Sequence, residues 1–247
     1  MCCRAISTCG LEHWPFVEDI HWKIRTPRGC GWVSQLQSAI MRIGFFGGSF
    51  DPPHLGHLAV ARASAQALSL DRILFAPTGH QPLKPDGAVA SFEERLAMVS
   101  LLCDLQPTIS TRPQFETSSL DAPLPEGSPN YTVNTLSTLR SLSSPNDSIF
   151  VIVGADAFLD IRRWRSPDTL LDLAEWIVIS RPGISLQQLE LLNLSPEHLR
   201  RVHLLEHIHE PASATSVREL LSAGSDCSGL LPASILNYIR THHLYGT

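Results

Sequence analysis

The chain has no apolar run near the roughly 18 residues that a membrane-spanning helix requires, and its opening 40 residues lack the apolar core of about 7–15 residues that defines a secretory signal. The expected location is therefore the cytoplasm, with no membrane partner. Four of the six cysteines (Cys2, Cys3, Cys9 and Cys30) fall in that opening segment, without the paired short spacings of a zinc site. Basic residues are also scarce. The first 40 residues hold four of the 19 Lys and Arg and three of the 24 Asp and Glu, which leaves 15 basic against 21 acidic residues beyond them. Nucleic-acid affinity comes from clustered Lys and Arg, so this balance argues against a nucleic-acid partner. No internal repeat, low-complexity tract or Ser-His-Asp arrangement is present. Gly44, Gly47 and Gly48 do not make the dehydrogenase pattern G-x-G-x-x-G, and hydride transfer gains no support.

What is present is an alternation of short apolar runs and amphipathic stretches. Residues 1–40 show no sustained period of 2 or 3.6. They read as a disordered extension or as an upstream stretch wrongly included in the translation, with the folded domain spanning 41–247. Beyond them, Ile43 to Phe46, Arg72 to Pro77, Pro107 to Arg112, Ile149 to Val153, Trp176 to Ile179 and Val202 to Leu205 read as strands. Helices are expected over Gly56 to Leu68, from the Ser91–Glu94 capping box to Cys103, and over Tyr131 to Leu142. Others are expected over Ser166 to Leu173 with Ser166 as cap and Pro167 at its first position, Ser185 to Leu192, Pro196 to Arg201 and Val217 to Leu221. Continuous apolar strands alternating with helices give an α/β fold: a single-domain, Rossmann-like, doubly wound parallel sheet with helices on both faces. In such sheets ligands sit beyond the carboxyl ends of the strands, where the strand order reverses.

The stretch Ile43 to Leu58 carries the chemistry. A buried strand ends in Gly47-Gly48, a turn with Asp51, Pro52 and Pro53 follows, and His54 and His57 stand where a helix begins. The first backbone N–H groups of a helix lack intrahelical partners and attract anions. Glycine admits a phosphate close to the backbone, and two histidines at i and i+3 share one face. As a zinc pair, His54 and His57 have only Asp51 as a third candidate, short of the three or four ligands zinc takes. No protein-held metal is assigned.

Gly48, Phe50, Asp51, His54, Gly56 and His57 match G-x-F-D-x-x-H-x-G-H, and the chain thereby resembles the nucleotidyltransferases that join a nucleotide or pantetheine phosphate to AMP. That family places a second phosphate-binding helix start of the form I-S-x-T-x-I-R. Here it is matched by Ser213, Thr215 and Arg218, with Val217 for Ile and Ala212 where the first Ile usually stands. Read alone, hydroxyls at a helix start are caps. The resemblance implies a triphosphate clamped between the two starts. Adenylyl transfer from ATP to a substrate phosphate follows, with His57 on the α-phosphate and His54 and Arg218 on the β- and γ-phosphates. Gly47, Gly48, Ser49 and Phe50 would contact ATP from the turn, and magnesium would arrive with the ATP.

Pro129 to Val133, Gly154-Ala155-Asp156, Trp164, Arg181-Pro182-Gly183 and the C-terminal Leu244-Tyr245 make the resemblance closest to bacterial nicotinate-nucleotide adenylyltransferases of NAD synthesis. It implies ATP and nicotinate mononucleotide as substrates. Gly154 and Asp156 would meet the ATP ribose, Trp164 would stack on the pyridine ring, Tyr131 and Thr132 would line the ring pocket, and Lys84 would sit near the mononucleotide phosphate. Read by themselves, Trp164 covers a surface helix, Asp156 caps one, and Tyr131 is core. His80 to Lys84 also departs from the family's Pro-Pro-His-Lys, and Arg162, Arg163 and Arg165 around Trp164 suit an anion such as the nicotinate carboxylate. Related enzymes acting on nicotinamide mononucleotide or pantetheine phosphate, and a non-catalytic nucleotide-binding module, are the alternatives. A class I aminoacyl-tRNA synthetase shares H-x-G-H but needs a Lys-Met-Ser-Lys-like loop and a tRNA-binding domain. Self-association into a homo-oligomer is left open by the sequence.

Overall fold

Strand β1 (Arg42–Gly48) runs through the centre of a six-stranded sheet because its Ile43 to Phe46 stretch can be buried on both faces. A computed structural model describes residues 40–82, 87–106, 113–180, 192–206, 208 and 213–247. The other strands are β2 (Arg72–Pro77), β3 (Gln114–Thr117), β4 (Ser148–Gly154), β5 (Glu175–Ile179) and β6 (Val202–Leu205). Their order is β3-β2-β1-β4-β5-β6, with every described pairing parallel. The chain walks outward from β1 to β3, then returns to place β4 against the other side of β1. That reversal between β1 and β4 opens the crevice in which doubly wound sheets bind ligands.

Helices α1 (Leu55–Leu68), α2 (Phe92–Cys103), α3 (Thr132–Leu142), α4 (Ala155–Leu159), α5 (Pro167–Leu173), α6 (Pro196–Leu199), α7 (Ala214–Ser222) and α8 (Ala233–Thr241) cover the sheet. Side chains of a strand alternate between faces, so adjacent residues feed different cores. Phe46, Phe75, Phe150 and Ile177 pack with α1, α2, α7 and α8. Phe45, Leu74, Val151 and Trp176 pack with α3, α4 and α5. Residues Ala39–Thr247 form one compact unit. Among the described residues no helix is long and apolar enough to cross a membrane.

The sheet and its parallel sense agree with expectation, as do β2, β6 and the Ser91–Glu94 box, in which each backbone N–H meets the other residue's side chain at 3.2 and 2.7 Å. Several boundaries differ. The third strand is Gln114–Thr117, a segment whose alternation of polar and apolar residues over four positions is too short to stand out; residues 107–112 lie outside the described set. Ser166 precedes α5 in a left-handed conformation (φ 52°) and its side chain makes no capping bond, so Pro167 alone sets that start. Helix α7 begins three residues before Val217, because Ser213 caps it. Helices α4 and α8 were not anticipated. The expectations for residues 1–39 and most of 185–192 also fall outside the described residues.

Candidate active site

At the carboxyl ends of β1, β2, β4 and β5, the described residues that follow the strands surround a cavity of about 710 Å³. His54, Gly56 and His57 from the start of α1 line it, opposite Ser213, Ala214, Thr215 and Arg218 from the start of α7. Two stretches about 160 residues apart in sequence therefore face one space. Ser49, Asp51, Gly154 and Asp156 complete that part of the wall.

The two helix starts present different chemistry. In α1, the Leu55 N–H donates to the Leu230 carbonyl (2.9 Å) and the His57 N–H to the His54 carbonyl (3.0 Å). Most of its first-turn amides are thus spent inside the protein, contrary to the expectation of open donors there. Its imidazoles take over. His57 Nδ1 accepts from the His54 N–H at 3.1 Å, which in the neutral ring puts the proton on Nε2 and makes that atom a donor. The ring is wedged against His54 (centroids 3.8 Å), Phe50 (4.8 Å) and Phe46 (5.9 Å). In α7, Ser213 Oγ accepts from the Ser216 N–H (3.1 Å) and Ser216 Oγ from the Ser213 N–H (3.2 Å). The box caps the helix while leaving the amides of Ala214 and Thr215 outside it. Arg218 folds back one turn later, its Nη2 3.4 Å from Thr215 Oγ1.

Asp51 ties these parts together. Its carboxylate is 3 % exposed and accepts from the Val89 N–H (2.7 Å), the Ala90 N–H (3.0 Å) and the Tyr245 hydroxyl (2.8 Å). Its carbonyl accepts from Arg218 Nη1 at 2.7 Å. Below it Arg95, 2 % exposed, donates to the carbonyls of Ala90, Ser49 and Thr78, closing the β1 and β2 loops onto each other. Burial pushes the Arg95 guanidinium below its ordinary value, and the nearby Asp51 charge opposes that shift. The loop after β2 is zipped to the segment before α3: Asn130 accepts from the His80 N–H and donates to the Ala122 carbonyl, both at 2.8 Å. Gly79 is required there, since a Cβ would lie 2.5 Å from the Pro123 nitrogen. At Gly154 a Cβ would fall 2.6 Å from Asp156 Oδ1, the end of an exposed side chain that can turn aside.

The anticipated residues divide. Ser49, His54, His57, Gly154, Asp156, Ser213, Thr215 and Arg218 line the cavity. Gly47, Gly48 and Phe50 shape its turn without lining it, the Phe50 ring being buried on Phe46 and Phe75. Tyr131, Thr132 and Trp164 are not among the lining residues either. Tyr131 precedes α3 with Arg165 stacked over its ring at 4.7 Å, and Trp164 packs edge-on against Trp176. Arg162 is committed to Asp168 and to the Leu192 and Asn193 carbonyls, Arg163 to Asp160, and Arg165 to the Tyr131 ring, so the three arginines do not converge as a cluster on Trp164. Lys84 lies outside the described residues.

Sequence reasoning missed Arg95, Thr78, Gly79 and Tyr245. One signal was available: Arg95 occupies the same α2 stripe as Met98, Val99, Leu102 and Cys103, a charge at a core position.

A family model described as cytidylyltransferase-like matches residues 45–220, which include both helix starts. A probable nicotinate-nucleotide adenylyltransferase of Roseiflexus sp. (strain RS-1) is 38% identical over 203 residues, covering 82% of this chain and 97% of that protein. The chain belongs to this nucleotidyltransferase family, in its nicotinate-nucleotide adenylyltransferase branch. A probable family member from Solibacter usitatus (strain Ellin6076) is 35% identical, with 83% of this chain and all of the relative covered. The fold is shared with Plasmodium falciparum nicotinic acid mononucleotide adenylyltransferase solved in complex with NaAD: TM-score 0.65 at 19% identity, over 83% of this chain and 97% of that one.

Proposed function

We propose that the chain transfers the adenylyl group of ATP to nicotinate mononucleotide, giving nicotinate adenine dinucleotide and pyrophosphate. The observation that carries this is the single cavity lined by His54 and His57 on one side and Ser213, Thr215 and Arg218 on the other. The names of the relatives supply the substrate.

A phosphate oxygen of the mononucleotide attacks the α-phosphorus. One P–O bond forms there while the bond to the β-phosphate oxygen breaks, and pyrophosphate leaves with the electron pair. The attacking phosphate is ionised at neutral pH, its second pKa being about 6, so no side chain must remove a proton. What remains is alignment and neutralisation of charge. His57 Nε2–H donates to the α-phosphate. His54 and the Arg218 fork hold the β- and γ-phosphates, a planar guanidinium matching phosphate oxygens two at a time. Asp156, exposed at the rim, accepts from the ATP ribose hydroxyls. Tyr131, Thr132 and Trp164 are assigned to the pyridine ring and Lys84 to the mononucleotide phosphate on family resemblance.

Magnesium fits this site as an ion carried by the triphosphate. Among the described residues no three His, Cys, Asp or Glu side chains gather as a metal cage, and the Asp51 carboxylate already serves three donors. Such an ion would neutralise charge on the phosphate oxygens, held by them and by water. A cytoplasmic location accompanies this reading.

Pyrophosphate release is the test, with ATP and, in turn, nicotinate mononucleotide, nicotinamide mononucleotide and pantetheine phosphate. Release that is fastest with nicotinate mononucleotide supports the proposal. Release with another acceptor alone moves the chain to a neighbouring branch, and none with any acceptor leaves a nucleotide-binding module.

A further inference from the structure

The last four residues reach back to Asp51, a residue of the cavity wall. Leu244–Gly246 form a 3-10 turn that packs on α7 and α8, with Tyr245 in a left-handed conformation (φ 58°, ψ 26°) that a bulky residue adopts at a cost. The ring is 8 % exposed, and its hydroxyl donates to Asp51 Oδ1 at 2.8 Å. Asp51 joins that hydroxyl to two working parts of the cavity. One is the Val89–Ala90 backbone, held through both carboxylate oxygens. The other is Arg218, whose Nη1 lies 2.7 Å from the Asp51 carbonyl and 3.8 Å from Oδ2.

We propose that the C-terminal turn is a positioning element for the triphosphate, Tyr245 setting the Asp51 carboxylate and, through it, the reach of Arg218 and the 87–90 loop. The Asp51 carboxylate and the incoming phosphates compete for one guanidinium. With Tyr245 donating, part of the carboxylate's charge is answered by the hydroxyl and by two amides, and Arg218 is left able to turn to phosphate. Remove the hydroxyl and the carboxylate, still held by the two amides, turns more of its charge on Arg218 and holds the guanidinium back from the phosphates. Burial, and next to it the Asp51 charge, push the Tyr245 phenol far above its ordinary range, so the proton stays on the donor at every working pH. Tyr245 touches no substrate and acts through Asp51.

This inference rests on ATP being the bound polyanion, and the experiment separates the two. Turnover of the full-length wild type is measured first, and ATP affinity is measured alongside by calorimetry, so absent turnover overturns the reaction reading and leaves the turn testable by binding. Tyr245→Phe keeps the ring and deletes the donor. A lost hydrogen bond to a charged group predicts an ATP KM and Kd raised about tenfold, with the KM for the mononucleotide unchanged. Leu244→Ala is the comparison, since Leu244 packs the same turn on the core and its side chain carries no hydrogen-bond donor for Asp51. It should lower the melting temperature and, since the hydroxyl is kept, raise the ATP Kd far less than Tyr245→Phe does. Equal ATP affinity of Tyr245→Phe and wild type, or equal losses in both variants, overturns the proposal. Should Tyr245→Phe fail to fold, hydrogen exchange on the wild type decides: a non-hydrolysable ATP analogue is to slow exchange in the 242–247 peptide, and unaltered exchange there refutes the coupling.

Discussion

Replacing His57 by Asn isolates the proposed catalytic donor from the structural work of the same ring. The Asn amide oxygen stands near the position of Nδ1 and can still accept from the His54 N–H, now 3.1 Å from the ring nitrogen. Nothing then reaches the place of Nε2. Loss of one preorganised donor to a transferring group costs about 2.7–4 kcal/mol, or 10²- to 10³-fold in kcat. The fold loses less, since the ring's contacts with Phe50 and His54 are worth about 0.5–1.5 kcal/mol per aromatic pair. His57→Ala should lose the same turnover and, in addition, about 1 kcal/mol of cap stability. His57→Gln, whose amide nitrogen reaches the Nε2 position, should recover part of the rate. The assay is pyrophosphate release at saturating ATP and nicotinate mononucleotide, with thermal melts on the same samples. An unaltered rate in His57→Asn refutes the assignment, and so would a rate loss matched by unfolding.

Arg218→Lys keeps the charge and loses the fork, which should lower kcat/KM for ATP by about 10- to 100-fold; steady-state kinetics at varied ATP checks this. Gly79→Ala drives a Cβ into the Pro123 backbone and Asn130. Overpacking of this kind costs about 1–3 kcal/mol, read as a lower melting temperature. Burial raises the Asp121 carboxyl above its ordinary value, against hydrogen bonds from Thr135 and Thr78. The protonated form is thus favoured by the fold, and the stabilisation it gives is complete below the unfolded pKa and lost as pH rises through the higher folded value. Asp121→Asn should therefore melt above wild type at pH 7.5 and lose that advantage in acid; a constant difference contradicts the sign. Burial likewise lifts the Cys103 thiol to about 11. Mass spectrometry after brief native alkylation at pH 7.5 should find Cys103 unmodified, since the thiolate is the nucleophile.

The fold could be read from the chain because its strands are nearly continuous apolar runs, which only a sheet covered on both faces can bury. Both helix starts could be read because their signals are local, fixed spacings within ten residues. The elements that escaped depend on distant partners. Gln114–Thr117 is a strand by pairing with β2, and the buried residues of α4, Ala155 and Phe158, pack in the core shared with Trp176 of β5. Asp51 stood in the motif, but its three donors come from residues 38, 39 and 194 positions away. Tyr245 could not be connected to it by any spacing rule. The amides of α1 were misjudged for the same reason: Leu230, which takes the first of them, belongs to a loop 175 residues later.

The claim on which the rest depends is that one triphosphate is held jointly by the α1 histidines and the α7 start. A crystal structure with α,β-methylene ATP tests it directly. The account requires a single bound molecule, its α-phosphate at hydrogen-bond distance from His57 Nε2 and its terminal phosphates at Arg218 and the Ala214 and Thr215 amides. Phosphates touching one helix start alone, or a nucleotide seated away from both, would contradict it.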